Sequence, residues 1–258
     1  MVIIMSRISI MSFNMRTQTT HDGENQFMNR REFIAERLAE YKPDIIGAQE
    51  IQPVMYDWMV DTLDDYYVVG GGRGANYDNE AVCIAFRKSK FVLYDCETFW
   101  LSATPNLPGS RYSGDQSECP RICTWVTLKP KDGKPFRVYN VHTDHIGEYA
   151  RVLEANQVLA KLCENNARSP MRSFVTGDFN AEPDDLCIRT MLDCKGAPLV
   201  DLSAESGGTF HGYGTTSVKI DYIFADAGAK CVDFKVLTDK KGNLWLSDHY
   251  PIMAEIEI

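Results

Sequence analysis

Four short apolar runs in this chain each end on residues that carry chemistry, and that pattern limits the folds open to it. "RISIMSFN" ends at Asn14, "DIIGAQE" at Glu50 and "PFRVYNVH" at His142, while "SFVTGDFN" brings in Asp178 and Asn180 two positions apart. Runs of this length, rich in Ile, Val and Phe and bounded by turn formers, read as buried strands. Side chains two apart in an extended segment share a face, so Asp178 and Asn180 are aimed together. "KIDYIF" holds Asp221 within a further strand, and "SDHYP" sets Asp248 and His249 just before the closing "PIMAEIEI". Polar groups gathered at one end of a sheet converge in space however far apart they lie in sequence.

Between the strands lie segments of helical period. Phe33, Ile34, Leu38 and Tyr41 predict a helix over 29–41, a second is expected over 54–63, and Val152, Ala155, Leu159 and Leu162 mark a third. "RICTWVTL" and "PFRVYNVH" are joined by Lys-Asp-Gly, a hairpin signal, and strands are also expected over 80–86 and 91–94. The terminal run places Ile252, Ala254, Ile256 and Ile258 on one face, a half-exposed strand. No linker, repeat or low-complexity tract divides the chain, so one layered α/β or α+β domain spanning 1–258 is expected.

Composition excludes several function classes. The formal net charge of −9 argues against tight nonspecific binding of duplex DNA, which draws on Lys and Arg to neutralise phosphates. The eight cysteines form no CxxC pair, and Cys119 and Cys123 have no partner pair to complete a zinc site, so they read as small apolar residues of a reducing compartment. The N-terminal "MVIIMSRISIMSF" is too short and too interrupted to span a bilayer and lacks the marks of a secretory signal, so a cytoplasmic location is expected. "GGGRGAN" is not followed by Gly-Lys-Ser/Thr and so is no P-loop.

Each polar residue alone has a plain structural reading: Asp and Asn satisfy turns, and a strand-end His makes structural hydrogen bonds. The set is more specific. Carboxylate and amide oxygens are the ligands Mg²⁺ or Mn²⁺ prefers, with water and substrate phosphate filling the shell. Histidines and an acid to orient one of them supply what phosphoryl displacement needs.

The segments "SFNMR", "IIGAQE", "NEAV", "NVHTDH", "VTGDFN", "KIDYIF" and "SDHYP", in this order, resemble the endonuclease/exonuclease/phosphatase superfamily of metal-dependent phosphoesterases. "FWLSATP", "RICTW" and "TFHGY" are most similar to a bacterial subgroup. The resemblance implies a four-layer sandwich: two mixed sheets face to face, with helices outside. It implies Glu50 as principal ligand of Mg²⁺ (or Mn²⁺), with Asn14 and Asp248 beside the ion. Asp178 would activate the attacking water and Asn180 help place it. His249, held by Asp221, and His142 would contact the phosphate, and Glu80 matches an acid that pairs with His142.

Arg121 is a candidate phosphate contact, since a guanidinium matches phosphate bidentately, and His211 is a further candidate. No role is assigned to Asp144 or His145. The loops 70–79 and 102–120 are expected to shape specificity. A small phosphorylated metabolite, a lipid head group and single-stranded nucleic acid all fit as substrates. Two rivals stand beside the hydrolase. A dinuclear metallophosphoesterase needs more histidines than the five present and a Gly-Asn-His segment that is missing. A catalytically silent binding module would keep the fold without turnover.

Overall fold

The computed structural model describes residues 7–258. The first six residues of the apolar N-terminal stretch, and with them that part of the membrane and signal reading, lie outside the described residues. Among the described residues no helix is long and apolar enough to cross a membrane.

The chain opens with β1 (Arg7–Asn14), α1 (Phe27–Tyr41), β2 (Ile45–Ile51), α2 (Pro53–Thr62), β3 (Tyr66–Val69) and β4 (Ala81–Arg87). There follow β5 (Phe91–Trp100), β6 (Ile122–Pro130), β7 (Phe136–His142), α3 (Glu148–Arg168), β8 (Arg172–Asp178), α4 (Leu186–Leu192), β9 (Leu199–Asp201) and β10 (Asp221–Asp226). Four more strands end the chain: β11 (Lys230–Val236), β12 (Lys240–Lys241), β13 (Leu244–Trp245) and β14 (Ile252–Glu257). One mixed sheet has the order β11-β14-β1-β2-β4-β3 and the other β5-β6-β7-β8-β10-β9.

Three apolar clusters account for the layering. Ile8, Ile10, Ile45 and Ile84 of the first sheet pack on Val138, Phe174 and Ile223 of the second. Phe33, Ile34 and Leu38 of α1 with Met55 and Met59 of α2 cover the outer face of the first sheet through Met11, Phe13 and Ile46. Val158, Leu159 and Leu162 of α3 with Ile188 of α4 cover the second through Tyr139, Val175 and Phe224. The result is the expected helix–sheet–sheet–helix sandwich.

The inner faces grade from apolar to polar along each strand. In β1 the side chains facing the other sheet run Ile8, Ile10, Ser12, Asn14 by the alternation of extended chain, and in β8 they run Phe174, Thr176, Asp178. Midway, Asn140 of β7 links the sheets. Its amide donates to the carbonyls of Ala48 (2.9 Å) and Cys83 (2.8 Å) and accepts from Gln49 Nε2 (2.6 Å) and Thr176 Oγ1 (3.0 Å). That fills its whole hydrogen-bonding capacity. Gly47 permits the close approach, since a Cβ there would stand 2.1 Å from Thr176 Oγ1.

Some elements differ from expectation. β5 runs to Trp100, well past residue 94, as an edge strand with a mostly exposed middle that breaks the apolar pattern. β3 and the exposed edge strand β11 carry too little alternation to be read in advance. β14 is less exposed than expected, because Met253 on its other face packs into the cluster under α1 and α2.

Replacing Asn140 with Leu removes its bonds to two buried carbonyls and to the Gln49 amide, which keeps the Gly47 carbonyl (3.1 Å) and Ser12 Oγ (3.4 Å). A buried polar group that loses its partner costs about 1–3 kcal/mol. Urea unfolding of Asn140→Leu is expected to lose roughly 3 kcal/mol or more; a loss below about 1 kcal/mol would contradict the linking role.

Candidate active site

Where the inner faces turn polar, the two sheets part into a cleft of about 510 Å³. Glu50, His142, Asp178, Asn180, Asp248 and His249 all line it. Asn14 lies just beneath, with its amide nitrogen 2.9 Å from Glu50 Oε1 and 2.9 Å from Asp178 Oδ2. One neutral side chain therefore holds together two carboxylates that come from opposite sheets.

Glu50 reaches this point only because its strand is broken. Regular alternation would send it with Ile46 and Ala48 toward the helices. Instead the register of β2 against β4 shifts between Ala48 and Ile51, and Glu50 takes φ = 62°. A bulge of this kind re-aims a side chain, and left-handed backbone at a non-glycine residue is strained. Arg16 (φ = 53°) and Asn180 (φ = 46°), which also line the cleft, share that conformation. The Glu50 carboxylate is fixed further by the Thr17 N–H, which donates to Oε2 at 2.8 Å.

The register of the second sheet sets the other groups. His142 and Asp221 both stand opposite Asp178 in the ladders of β7 and β10 with β8. His142 Nε2 lies 3.6 Å and His249 Nε2 3.7 Å from Asp178 Oδ2. His249 Nδ1 meets Asp221 Oδ2 at 2.8 Å. The Asn180 N–H donates to Asp178 Oδ1 at 2.9 Å, and its side-chain amide donates to the Thr143 carbonyl at 3.1 Å. Ligand atoms of Glu50, His142 and Asp178 lie within 4.8 Å of one another.

Not every candidate joins that group. Asp248 lines the cleft, but its Oδ2 lies 3.5 Å from Arg16 Nε, and Arg16 is itself paired with Asp22 at 2.9 Å. Arg121 and Glu80 line the same cleft on the His142 side. His211 lies outside the cleft lining, stacked between Trp245 (4.5 Å) and Tyr250 (4.1 Å), and its backbone N–H donates to the Asp248 carbonyl at 2.9 Å. Its contact is with the loop that carries Asp248. Asp144 accepts from the backbone N–H groups of Ser117, Ile146 and Gly147, so it anchors the long loop to the end of β7. Sequence reasoning missed Arg16 and Arg73. Arg16 closes "SFNMR" and Arg73 lies within "GGGRGAN", but an arginine in a loop carries no signal of where its side chain points.

A family model described as the Endonuclease/Exonuclease/phosphatase family matches residues 11–249. The chain belongs to the endonuclease/exonuclease/phosphatase family. Among solved structures it is similar to a protein of this family from Bacteroides thetaiotaomicron, at 30% identity and a TM-score of 0.88 over 98% of each chain. One from Bacteroides vulgatus matches at 27% identity and a TM-score of 0.91, over 98% of this chain and 99% of that one. A mannosyl-6-phosphatase from Bacteroides thetaiotaomicron matches at 30% identity and a TM-score of 0.88, over 97% of this chain and 100% of that one. No curated protein matches in sequence.

The electrostatics of this family member's cleft divide its groups. Burial is the largest influence on Glu50 and pushes its carboxyl up. The Thr17 N–H, the Asn14 amide and the charges of His249 and Arg16 outweigh it and hold Glu50 below its ordinary range. Burial carries the Asp178 carboxyl up to about 7; the His249 charge pulls it back and the Asp221 charge adds to the rise. Burial also lowers the His142 imidazole, and the Arg121 and Arg73 charges lower it further, so it stays neutral. His249 goes the other way: burial opposes its charge, but Asp221 and Asp178 carry it up to about 10.

In metal-free protein the His249 imidazolium favours the folded state fully below its unfolded pKa, and that contribution is lost as pH rises through about 10. Asp221→Asn removes the main charge behind the shift. Imidazole NMR is expected to show the His249 titration falling by more than one pH unit in this variant; an unmoved titration would contradict the pairing.

Proposed function

We propose that the protein hydrolyses a phosphoester by in-line attack of water, with Mg²⁺ (Mn²⁺ as a substitute) held at Glu50. The observation that carries this reading is the Asn14 amide holding the Glu50 and Asp178 carboxylates together beneath two histidines. The donor set fits the ion: hard carboxylate oxygens with an open cleft above them, which suits a cation that keeps several waters. When bound, a divalent cation would neutralise charge on the phosphoryl oxygens.

The residues divide the remaining work. Asp178, with a carboxyl poised near neutrality, takes a proton from the attacking water, and Asn180 fixes that carboxylate through its N–H. Water oxygen bonds to phosphorus as the bond to the leaving oxygen breaks, and that oxygen leaves with a proton from solvent or from a cleft donor. His249, kept charged and oriented by Asp221, donates to a non-bridging oxygen from one side. Neutral His142 donates from the other. Asp248, whose carboxylate lies 3.5 Å from Arg16 Nε, would stand beside the ion.

The substrate is a small or single-stranded phosphoester, not tightly held duplex DNA, in keeping with the acidic balance of the chain. The mannosyl-6-phosphatase of similar fold and 30% identity favours a small phosphorylated compound. A cytoplasmic location belongs to the same proposal. It is supported by cysteine usage, since Cys83, Cys123 and Cys187 are buried with thiols that burial pushes up out of the reactive range.

A panel of phosphoesters assayed with Mg²⁺ and Mn²⁺ tests the reading. Wild type is expected to turn over at least one compound, to lose activity in EDTA and to regain it with either ion. Asp178→Ala and His249→Ala are each expected to lower kcat/KM by about 10²–10⁴-fold. If wild type and both variants behave alike on every compound, the mechanism is wrong.

A further inference from the structure

We propose that Arg73 and Arg121 form a paired guanidinium clamp that selects a terminal phosphate, the dianion of a phosphomonoester, over a phosphodiester. The inference rests on the phosphoester reading above and narrows its substrate class. Both arginines line the cleft beside His142, and both are almost wholly buried, at 8% and 3% exposure. Long charged side chains are buried to that degree only when something pays for their desolvation.

Their partners inside the protein account for part of that. Arg73 Nη2 lies 2.9 Å from Glu80 Oε2. Arg121 Nη2 lies 2.8 Å from His145 Nδ1, and its Nε lies 3.5 Å from Asp144 Oδ2, outside hydrogen-bond geometry. Arg121 Nε and Nη1 and Arg73 Nε are buried with no hydrogen-bond partner among the described residues. Two guanidinium groups with unpartnered N–H bonds, both lining one cleft, suit a ligand with several anionic acceptors.

The surroundings hold the clamp in place. The Arg73 N–H donates to the Glu80 carbonyl at 2.9 Å, and Trp100 Nε1 donates to the Arg73 carbonyl at 2.7 Å. The Arg121 carbonyl accepts from the Leu101 N–H at 2.8 Å. Fixed donors lose little freedom when a ligand arrives. On its inner side the recess between the arginines, His142, Glu50 and Glu80 closes against Ala81, Val82 and Ile122 and has no room for a water-sized molecule, so a ligand meets the arginines from the open cleft. A phosphomonoester brings three non-bridging oxygens and a double charge, enough for both forks. A diester brings two such oxygens and one charge, and its second substituent would have to point away from the closed recess.

The test compares p-nitrophenyl phosphate with bis(p-nitrophenyl) phosphate for wild type, Arg73→Met and Arg121→Met, with inorganic phosphate binding measured by calorimetry on the same metal-loaded proteins. Wild type is expected to prefer the monoester. Each Met variant is expected to lose roughly 10- to 100-fold in monoester kcat/KM and in phosphate affinity, and clearly less on the diester, so that the monoester preference itself falls by about 10-fold or more. Thermal unfolding checks that the variants fold. Arg73→Lys and Arg121→Lys, which keep the charge, stand in if a Met variant does not fold, and are expected to show a smaller loss of the same preference. A wild type that prefers the diester, equal losses on both esters, or unchanged phosphate affinity would each overturn the clamp while leaving the hydrolase standing. Turnover of neither ester, with phosphate affinity still falling in the variants, would count against the hydrolase and for the clamp.

Discussion

The site depends on two acidic side chains from opposite sheets being held a few ångströms apart in a buried place. Like charges there repel strongly, because little water screens them. Three features make the arrangement tolerable in the structure. The Asn14 amide lies between the carboxylates, 2.9 Å from an oxygen of each. The His249 imidazolium stands 3.7 Å from Asp178 Oδ2. Burial keeps Asp178 close to taking up a proton. A fourth stabilising influence, a divalent cation, would suit the same spot and release Asp178 to act as a base. The cleft thus favours positive charge where chemistry on phosphate needs it.

The rest of the fold serves to keep that pair in register. Asn140 joins the sheets by hydrogen bonds to carbonyls of β2 and β4, close to where their pairing shifts. That shift turns Glu50 from the helix face to the cleft. The strain of Glu50, Arg16 and Asn180 in left-handed backbone is concentrated at the cleft and borne by the surrounding ladders and core. The loop of Arg73 and the loop secured by Asp144 rise on the His142 side, so that side of the cleft is built from the least regular chain segments.

Much of this was legible in the sequence, because extended chain has a period of two and a strand declares its inner face by what it alternates. The convergence of Asn14, His142, Asp178 and Asp221 follows from strands that share a polar end. Glu50 was legible as a strand-end acid, but its direction was not, since a backbone shift decides it. Arg73 and Arg16 were missed because the placement of a loop arginine depends on contacts far off in sequence, such as Trp100 with Arg73 and Asp248 with Arg16. His211 was expected at the substrate and is found among aromatic rings instead. Trp245, which packs on it, comes from the short β12–β13 hairpin, and two-residue strands carry no period to read.

The most direct test of the central claim is an anomalous difference map from a crystal soaked in Mn²⁺. The account expects a single strong peak in the cleft within about 2.5 Å of a Glu50 carboxylate oxygen. A map with no peak there, or with the ion out of reach of Glu50, would contradict it.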